Sequence, residues 1–322
     1  MNVQVRDLST AVERNSFVSQ ASYWIPELLN VSAWLEHAPF GFWLVGALRP
    51  RPIVELGVHT GFSYSVFCQA VQRLHLPARC FAVDTWRGDQ HAGYYGDDVY
   101  NAVRVHNRRY DSFSRLIRAD FADALNDFAD GSIDLLHVDG CHSYEAVRRD
   151  FESWLPKLSD RGVVLFHDTA EYANGFGVHR LWEELRLRYP SFEFTHGHGL
   201  GVLGVGQKLP LALEDLFHAS ASHVSAQMIR IAYEQLGRCI SGLQALPEQQ
   251  CEMDALRQQV RHLESEIAGY QTSTSWRLTA PLRELARLMR NASTVAAELR
   301  DRLGNATAPV TPSVRPAYRI DR

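Results

Sequence analysis

The chain has 322 residues, of which 46% are hydrophobic and 22% charged, and its formal net charge is −4. The length suits about two domains, and the composition is ordinary for a globular protein with a sizeable core. So weak a negative balance excludes a surface built throughout for nucleic acid or an anionic membrane, and any basic partner surface must be local.

In chain order, residues 1–50 read as an N-terminal helical region with aromatic and leucine-rich stretches such as YWIPELLNVSAWLEH. The opening MNVQVRDLST lacks the basic-then-apolar pattern of a secretory signal. The longest strongly apolar run, Phe40 to Leu48, is shorter than the roughly 20 residues that span a bilayer. Five cysteines, at 68, 80, 141, 239 and 251, are odd in number and lack paired spacing, which argues against a disulfide framework and a zinc site. These features predict a cytoplasmic protein with reduced thiols.

From residue 51 a regular alternation begins. RPIVELG, ARCFAVD, SRLIRAD, SIDLLHVD and RGVVLFHD read as five buried strands. Helical runs separate them, among them Phe62 to Leu74 and SYEAVRRDFESWLPKL, whose Tyr144, Val147, Phe151 and Trp154 recur on one face. Apolar strands alternating with amphipathic helices predict a parallel sheet covered on both sides. After a helix from Val178 to Tyr189, FEFTHG and LGVLGVG stand only a few residues apart. That spacing suits a hairpin, because a parallel crossover needs a dozen residues or more. The predicted fold is α/β: a doubly wound, mostly parallel seven-stranded sheet with a C-terminal helical extension.

The first strand runs into Glu55-Leu-Gly57-Val-His-Thr-Gly61. Ligands of open α/β sheets bind beyond the carboxyl ends of the strands, and Gly57 and Gly61 let the backbone turn sharply there. The spacing fails the G-x-G-x-x-G rule of dinucleotide binders, so a nicotinamide dehydrogenase is disfavoured. An acid two residues before the first glycine suits a positive ammonium. The second strand ends at Asp84, where a carboxylate could accept both ribose hydroxyls, and the third at Asp120, placed for an adenine amino group. Each acid taken singly could equally cap a helix or form a turn.

The fourth strand ends in Asp139-Gly-Cys-His142 and the fifth in His167-Asp168-Thr169. Asp139 and Asp168 should therefore meet at one sheet edge, and two carboxylates with room for water match a magnesium or manganese site. His142 could reach a hydroxyl held there and take its proton. The competing reading has Asp139 capping the next helix and the histidines lining the edge.

In combination, ELGVHTG, FAVDTW and IRADF resemble the cofactor-binding half of class I methyltransferases, which use S-adenosylmethionine (SAM). The segment DLLHVDGCHSYEAVRRDFESWLPKLSDRGVVLFHDT is similar to metal-dependent sugar O-methyltransferases of macrolide tailoring and to methyltransferase modules of bacterial polysaccharide assembly. The resemblance covers roughly residues 40–206. It implies SAM binding by Glu55, Gly57, Gly61, Asp84 and Asp120, a metal on Asp139 and Asp168, and catalysis by His142 and Asp139 on a small-molecule or glycan acceptor. Catechol-type relatives carry lysine at the position of His142. This chain also departs from the DD or DN of those families at His167-Asp168-Thr169, which leaves the third metal ligand open. A non-catalytic tethering module and a hydroxylase-like relative are the rival functions.

The domain reading is thus 51–208 for the SAM-binding domain, 209–304 for a helical or coiled-coil extension and 305–322 for a disordered tail. Met253, Leu256, Val260, Leu263, Ile267 and Tyr270 alternate three and four apart, a coiled-coil seam or a face packed on the domain. TSTSWRLTAPLR resembles segments of glycosyltransferase-associated proteins. Arg277, Arg283, Arg287 and Arg290 follow against Glu284 alone. The extension predicts a homo-oligomer, a glycosyltransferase partner or peripheral membrane contact, and no nucleic acid.

Overall fold

The computed structural model of the chain describes residues 17–89, 93–173, 175–284 and 286. It divides into two compact units, residues 1–247 and 248–322. The first is built on seven strands: β1 Pro52–Leu56, β2 Arg79–Asp84, β3 Ser114–Arg118, β4 Ile133–Val138, β5 Leu158–His167, β6 Ser191–Phe194 and β7 Leu200–Gly204. Their spatial order is β3-β2-β1-β4-β5-β7-β6. The first five pair in parallel, and β7 runs antiparallel between β5 and β6. The sheet is therefore the mostly parallel, seven-stranded, doubly wound α/β arrangement that the sequence predicts. Strand order reverses between β1 and β4, which makes their carboxyl ends the switch point where ligands of such sheets bind.

Successive residues of each strand point to opposite faces, and two cores form accordingly. Ile53, Leu135, Leu165 and Val202 join one face with Phe40, Leu44, Phe67, Leu216 and Tyr233. Val54, Leu136, Val164 and Phe166 join the other with Val147, Phe151, Trp154 and Leu181. The helices contributing to the two cores are α1 Ala38–Leu48, α2 Phe62–Arg73, α3 Asp97–Asn107 (through Val103), α4 Tyr144–Trp154, α5 Val178–Leu185, α6 Leu211–Ser220 and α7 His223–Thr272. A single-turn helix, Phe121–Ala124, follows β3.

The N-terminal expectation needs correction. YWIPELLNVSAWLEH is not α-helical: short 3-10 turns at Gln20–Tyr23 and Leu35–His37 flank an irregular stretch, and the first α-helix is the apolar run Ala38–Leu48. Pro26 disfavours helical geometry at Ile25. The Gln69 side chain donates to the Ile25 carbonyl and accepts from the Glu27 N–H, both at 2.9 Å, giving the non-helical backbone its partners. Helix α1 is buried nearly all round, which is why its pattern is uniformly apolar.

The boundary of the extension also moves. Leu213, Leu216 and Phe217 of α6, and Ala226, Ile229, Tyr233 and Ile240 of α7, lie in the main core. By packing, then, the extension begins after Pro247 and not at 209. In the second unit, Met253, Leu256, Val260, Leu263 and Ile267 are exposed. Tyr270's side chain, Leu285, Arg287, Arg290 and the segment 305–322 lie outside the described residues. Among the described residues no helix is long and apolar enough to cross a membrane.

Trp154 is fully buried while Leu187 is 84% exposed. Trp154→Ala should cost about 3–5 kcal/mol through cavity formation, and Leu187→Ala no more than about 0.5 kcal/mol. Urea unfolding followed by tryptophan fluorescence and circular dichroism will show whether the two differ as stated.

Candidate active site

The turn after β1 is fixed from three directions. Gly57 and Gly61 take φ of +86° and +81°, where side chains are rarely tolerated. A Cβ on Gly57 would stand 2.0 Å from the Asp139 carbonyl oxygen, so the β1 turn and the β4 end touch through backbone alone. The Gly57 N–H donates to Val83 O at 3.0 Å, and the Asp139 N–H to Leu56 O at 2.8 Å. Asp84 clamps the turn from β2. Its Oδ2 accepts the Val58 and His59 N–H groups at 2.7 and 3.0 Å, and its Oδ1 accepts the Trp86 N–H at 2.7 Å.

These strand ends enclose a cleft of about 240 Å³. Gly57, Val58 and His59 line it from the turn, Asp84 and Thr85 from β2, Asp120 and Phe121 from β3, and Asp139 to His142 from β4. A two-stranded ribbon, Gly88–Asp89 with Gly93–Tyr94, adds Gly88 and Asp89, and Tyr95 follows it. Tyr95 lies with its ring 5.0 Å from that of His59. Burial and the charges of Asp84 and Asp89 push the Tyr95 phenol up, so it stays a neutral hydroxyl.

The expected acids have three different fates. Asp120 lies exposed in the cleft wall. Asp84 reaches the cleft with three of a carboxylate's roughly four acceptor directions taken by backbone. Glu55 is fully buried and is not among the residues lining the cleft. Its Oε1 accepts the Ser63 hydroxyl at 2.6 Å, and its Oε2 lies 3.3 Å from His137 Nδ1. Burial raises its pKa against the opposing pull of His137 and Ser63. Its place is beneath the turn, where it ties β1 to the start of α2.

Asp139, His142 and Asp168 do come together, with one ligand atom from each lying within 4.8 Å of the others. His142 Nε2 is 2.7 Å from Asp168 Oδ2 and 3.6 Å from Asp139 Oδ1. Phe176 packs on the His142 ring at 4.7 Å, and the Gly177 N–H donates to the His142 carbonyl at 2.7 Å. Two carboxylates and an imidazole form a donor set that a divalent cation such as magnesium or manganese fits. His142, read from the sequence as a base, is thereby also a candidate for the missing third ligand.

His167 completes the cluster from behind. Its Nδ1 lies 3.4 Å from Asp139 Oδ1 and 3.3 Å from Asp168 Oδ2, while its Nε2 faces the Gly197 carbonyl at 3.2 Å. Both ring nitrogens meet acceptors, so both carry protons and the ring is an imidazolium. Burial alone would lower its pKa, but Asp139 and Asp168 raise it to about 10. Burial likewise opposes ionisation of Asp139, yet His167, with His137 and His142, holds that carboxyl well below the usual range.

The sequence of the core of this unit has known counterparts. Residues 54–169 match the family model described as "Methyltransferase domain". The uncharacterized protein y4gI of Sinorhizobium fredii is 55% identical over 199 residues, which are 62% of this chain and 22% of that protein. The chain thus spans about a fifth of that relative's length. Among solved structures, a putative caffeoyl-CoA O-methyltransferase from Staphylococcus aureus is 14% identical, with TM-score 0.42 over 64% of this chain and 93% of its own. The O-methyltransferase TomG from Streptomyces achromogenes, solved with SAM, is 16% identical, with TM-score 0.42 over 55% and 82%.

Several residues lining the cleft carry no signal in the sequence. His59 stood inside the quoted glycine turn, and Cys141 between Asp139 and His142, yet neither type is diagnostic there. Trp86, just after β2, is fully buried, with its indole N–H donating to His59 O at 3.1 Å. Phe176 reaches the site through His142, but His196 and His198 do not line the cleft. The His196 ring lies tilted 4.9 Å from that of His37, and His198 Nδ1 lies 3.2 Å from a Glu171 carboxylate oxygen. Asn174 and residues 90–92 lie outside the described residues.

The His167 imidazolium makes stability fall on the alkaline side. Its folded pKa lies above the ordinary 6.5, so its contribution is complete below that value. It declines as only the unfolded chain loses its proton, and is gone once pH passes about 10. Calorimetric melting should therefore show a loss over this window that is much smaller in His167→Gln.

Proposed function

We propose that the chain is a SAM-dependent O-methyltransferase acting on a sugar hydroxyl, in a bacterial surface glycan or a glycosylated metabolite. The convergence of Asp139, His142 and Asp168 at one side of the cleft carries this reading. The cleft itself suits SAM. Asp84 retains an acceptor direction for a ribose hydroxyl, and Asp120 is free of the fold's own demands and suits the adenine amino group. The Gly57–Gly61 turn offers the close backbone approach, and Glu55 supports it from below.

Asp139 and Asp168 would hold the cation, which when bound would lower the pKa of an acceptor hydroxyl and fix its orientation. In the transfer the acceptor oxygen forms a bond to the methyl carbon as the carbon–sulfur bond breaks, and the sulfonium becomes a neutral thioether. The hydroxyl proton goes to His142. The resulting imidazolium is held by Asp168 at 2.7 Å, and Phe176 on the ring keeps the imidazole from turning away. Alignment of oxygen, carbon and sulfur would supply much of the acceleration. The aromatic Tyr95 beside His59 in the cleft wall, together with the sequence resemblance, supports a flat, hydroxyl-rich acceptor.

Two experiments test this. In calorimetric titration SAM should bind in the micromolar range, about −8 kcal/mol. Asp120→Ala should weaken it about tenfold, or about 1.4 kcal/mol, with no change in melting temperature, because Asp120 is exposed. Tight NAD binding without SAM binding would remove the cofactor assignment.

With labelled SAM and bacterial glycans, mass spectrometry should find a methylated sugar. His142→Ala should lower turnover by about 10²- to 10⁴-fold with SAM affinity intact, and a chelator should abolish activity until magnesium or manganese is restored. Unchanged turnover in that variant would exclude His142 from the chemistry, and full activity in chelator would exclude the metal.

A further inference from the structure

The described part of the second unit buries none of its side chains, and this lets its partner be named. Met253, Leu256, Val260, Leu263 and Ile267 are each 48–53% exposed, although they share one face of α7 at coiled-coil spacing. Placing Met253 at the first heptad position puts Val260 and Ile267 at the same position one and two heptads on. Leu256 and Leu263 then fall at the fourth. Among parallel assemblies, β-branched residues such as Val260 and Ile267 at the first position with leucine at the fourth favour two helices over three or four. The flanking charges agree with self-pairing. In a parallel pair in register, Glu252 of one chain faces Arg257 of the other, twice by symmetry, and Glu264 faces the neutral Gln259. Arg257 is otherwise engaged by Asp254 at 3.1 Å, both side chains about 60% exposed, a contact worth little in water.

We infer that residues 253–267 of α7 are a homodimerisation seam whose occupant is a second copy of this chain, parallel and in register. The inference rests on no part of the catalytic reading. The seam is short, so the dimer should be reversible with concentration.

The experiment uses the full chain. Light scattering after size exclusion should give twice the mass of one chain at high concentration, and Val260→Asp with Leu263→Asp should halve that mass. The main melting transition should stay in place, because these side chains are half-exposed. Arg257→Glu should weaken the dimer, and adding Glu252→Arg should restore it. Restoration by Glu264→Arg instead would mean antiparallel helices and would overturn the assignment.

In a background with Cys239→Ser and Cys251→Ser, Leu263→Cys should form an intermolecular disulfide on oxidation and Arg261→Cys should not. A monomer at every soluble concentration, a larger assembly, or a dimer untouched by the two aspartates would each refute the proposal.

Discussion

The site depends on one steric fact: the end of β4 lies against Gly57 with no room for a Cβ. Strands β1 and β4 are neighbours that leave the sheet's switch point in opposite directions. Their ends can therefore splay into a cleft only if one turns sharply while the other passes close by. Gly57 does the first and the Asp139 backbone the second. The Asp84 carboxylate then closes the turn by accepting its N–H groups from β2. This geometry sets Asp139, and three residues later His142, beside the cleft. It also explains why Asp84 faces two ways, since the group that shapes the turn also borders the ligand space.

The same economy governs the helices. Ser63, in the first turn of α2, donates to Glu55, and His137 of β4 lies against the other oxygen of that carboxylate. A buried carboxylate without such partners would cost several kcal/mol or stay protonated. The acid that in sequence looked like a ligand contact is thus a strut between β1, β4 and α2. Removing it would disturb the cleft through its walls.

The strands were legible because a doubly covered parallel sheet demands nearly continuous apolar runs, and here those runs end in turn formers. The hairpin was legible from loop length alone. At the site, strand-end position alone foretold Asp84, Asp120, Asp139 and Asp168, which topology brings to one sheet edge. Which acid turns inward was not legible. Glu55 and Asp84 look alike in sequence, and their difference lies in partners distant along the chain, His137 for one and Val58 and His59 for the other. The N-terminal stretch failed for a related reason. Its leucine and tryptophan pattern suggested a helix, but Pro26 and a glutamine in another element settle its backbone. The boundary at 208 failed because α6 and the start of α7 carry ordinary amphipathic patterns, and only packing shows that the main core claims them.

The charge balance of the cluster links the buried histidines to the chemistry. Asp139 and Asp168 place two negative charges where burial disfavours even one. His167 supplies one positive charge from behind, with its other nitrogen anchored on Gly197 O. His37 donates to that same carbonyl, at 2.9 Å, and its ring lies 5.6 Å from His167. Two cations cannot share that space. Burial, then the charge of His167 and then that of His196, press His37 well below its ordinary pKa, so it stays neutral and serves as a spacer. What remains is a net charge of about −1 on the cleft side, beside His142. A fully neutral cluster would have no attraction for a cation, and a doubly negative one would be costly to bury without one. With His167 in place the carboxylates are already stable before any ligand arrives, so the chain can hold the site open at no large cost to its fold.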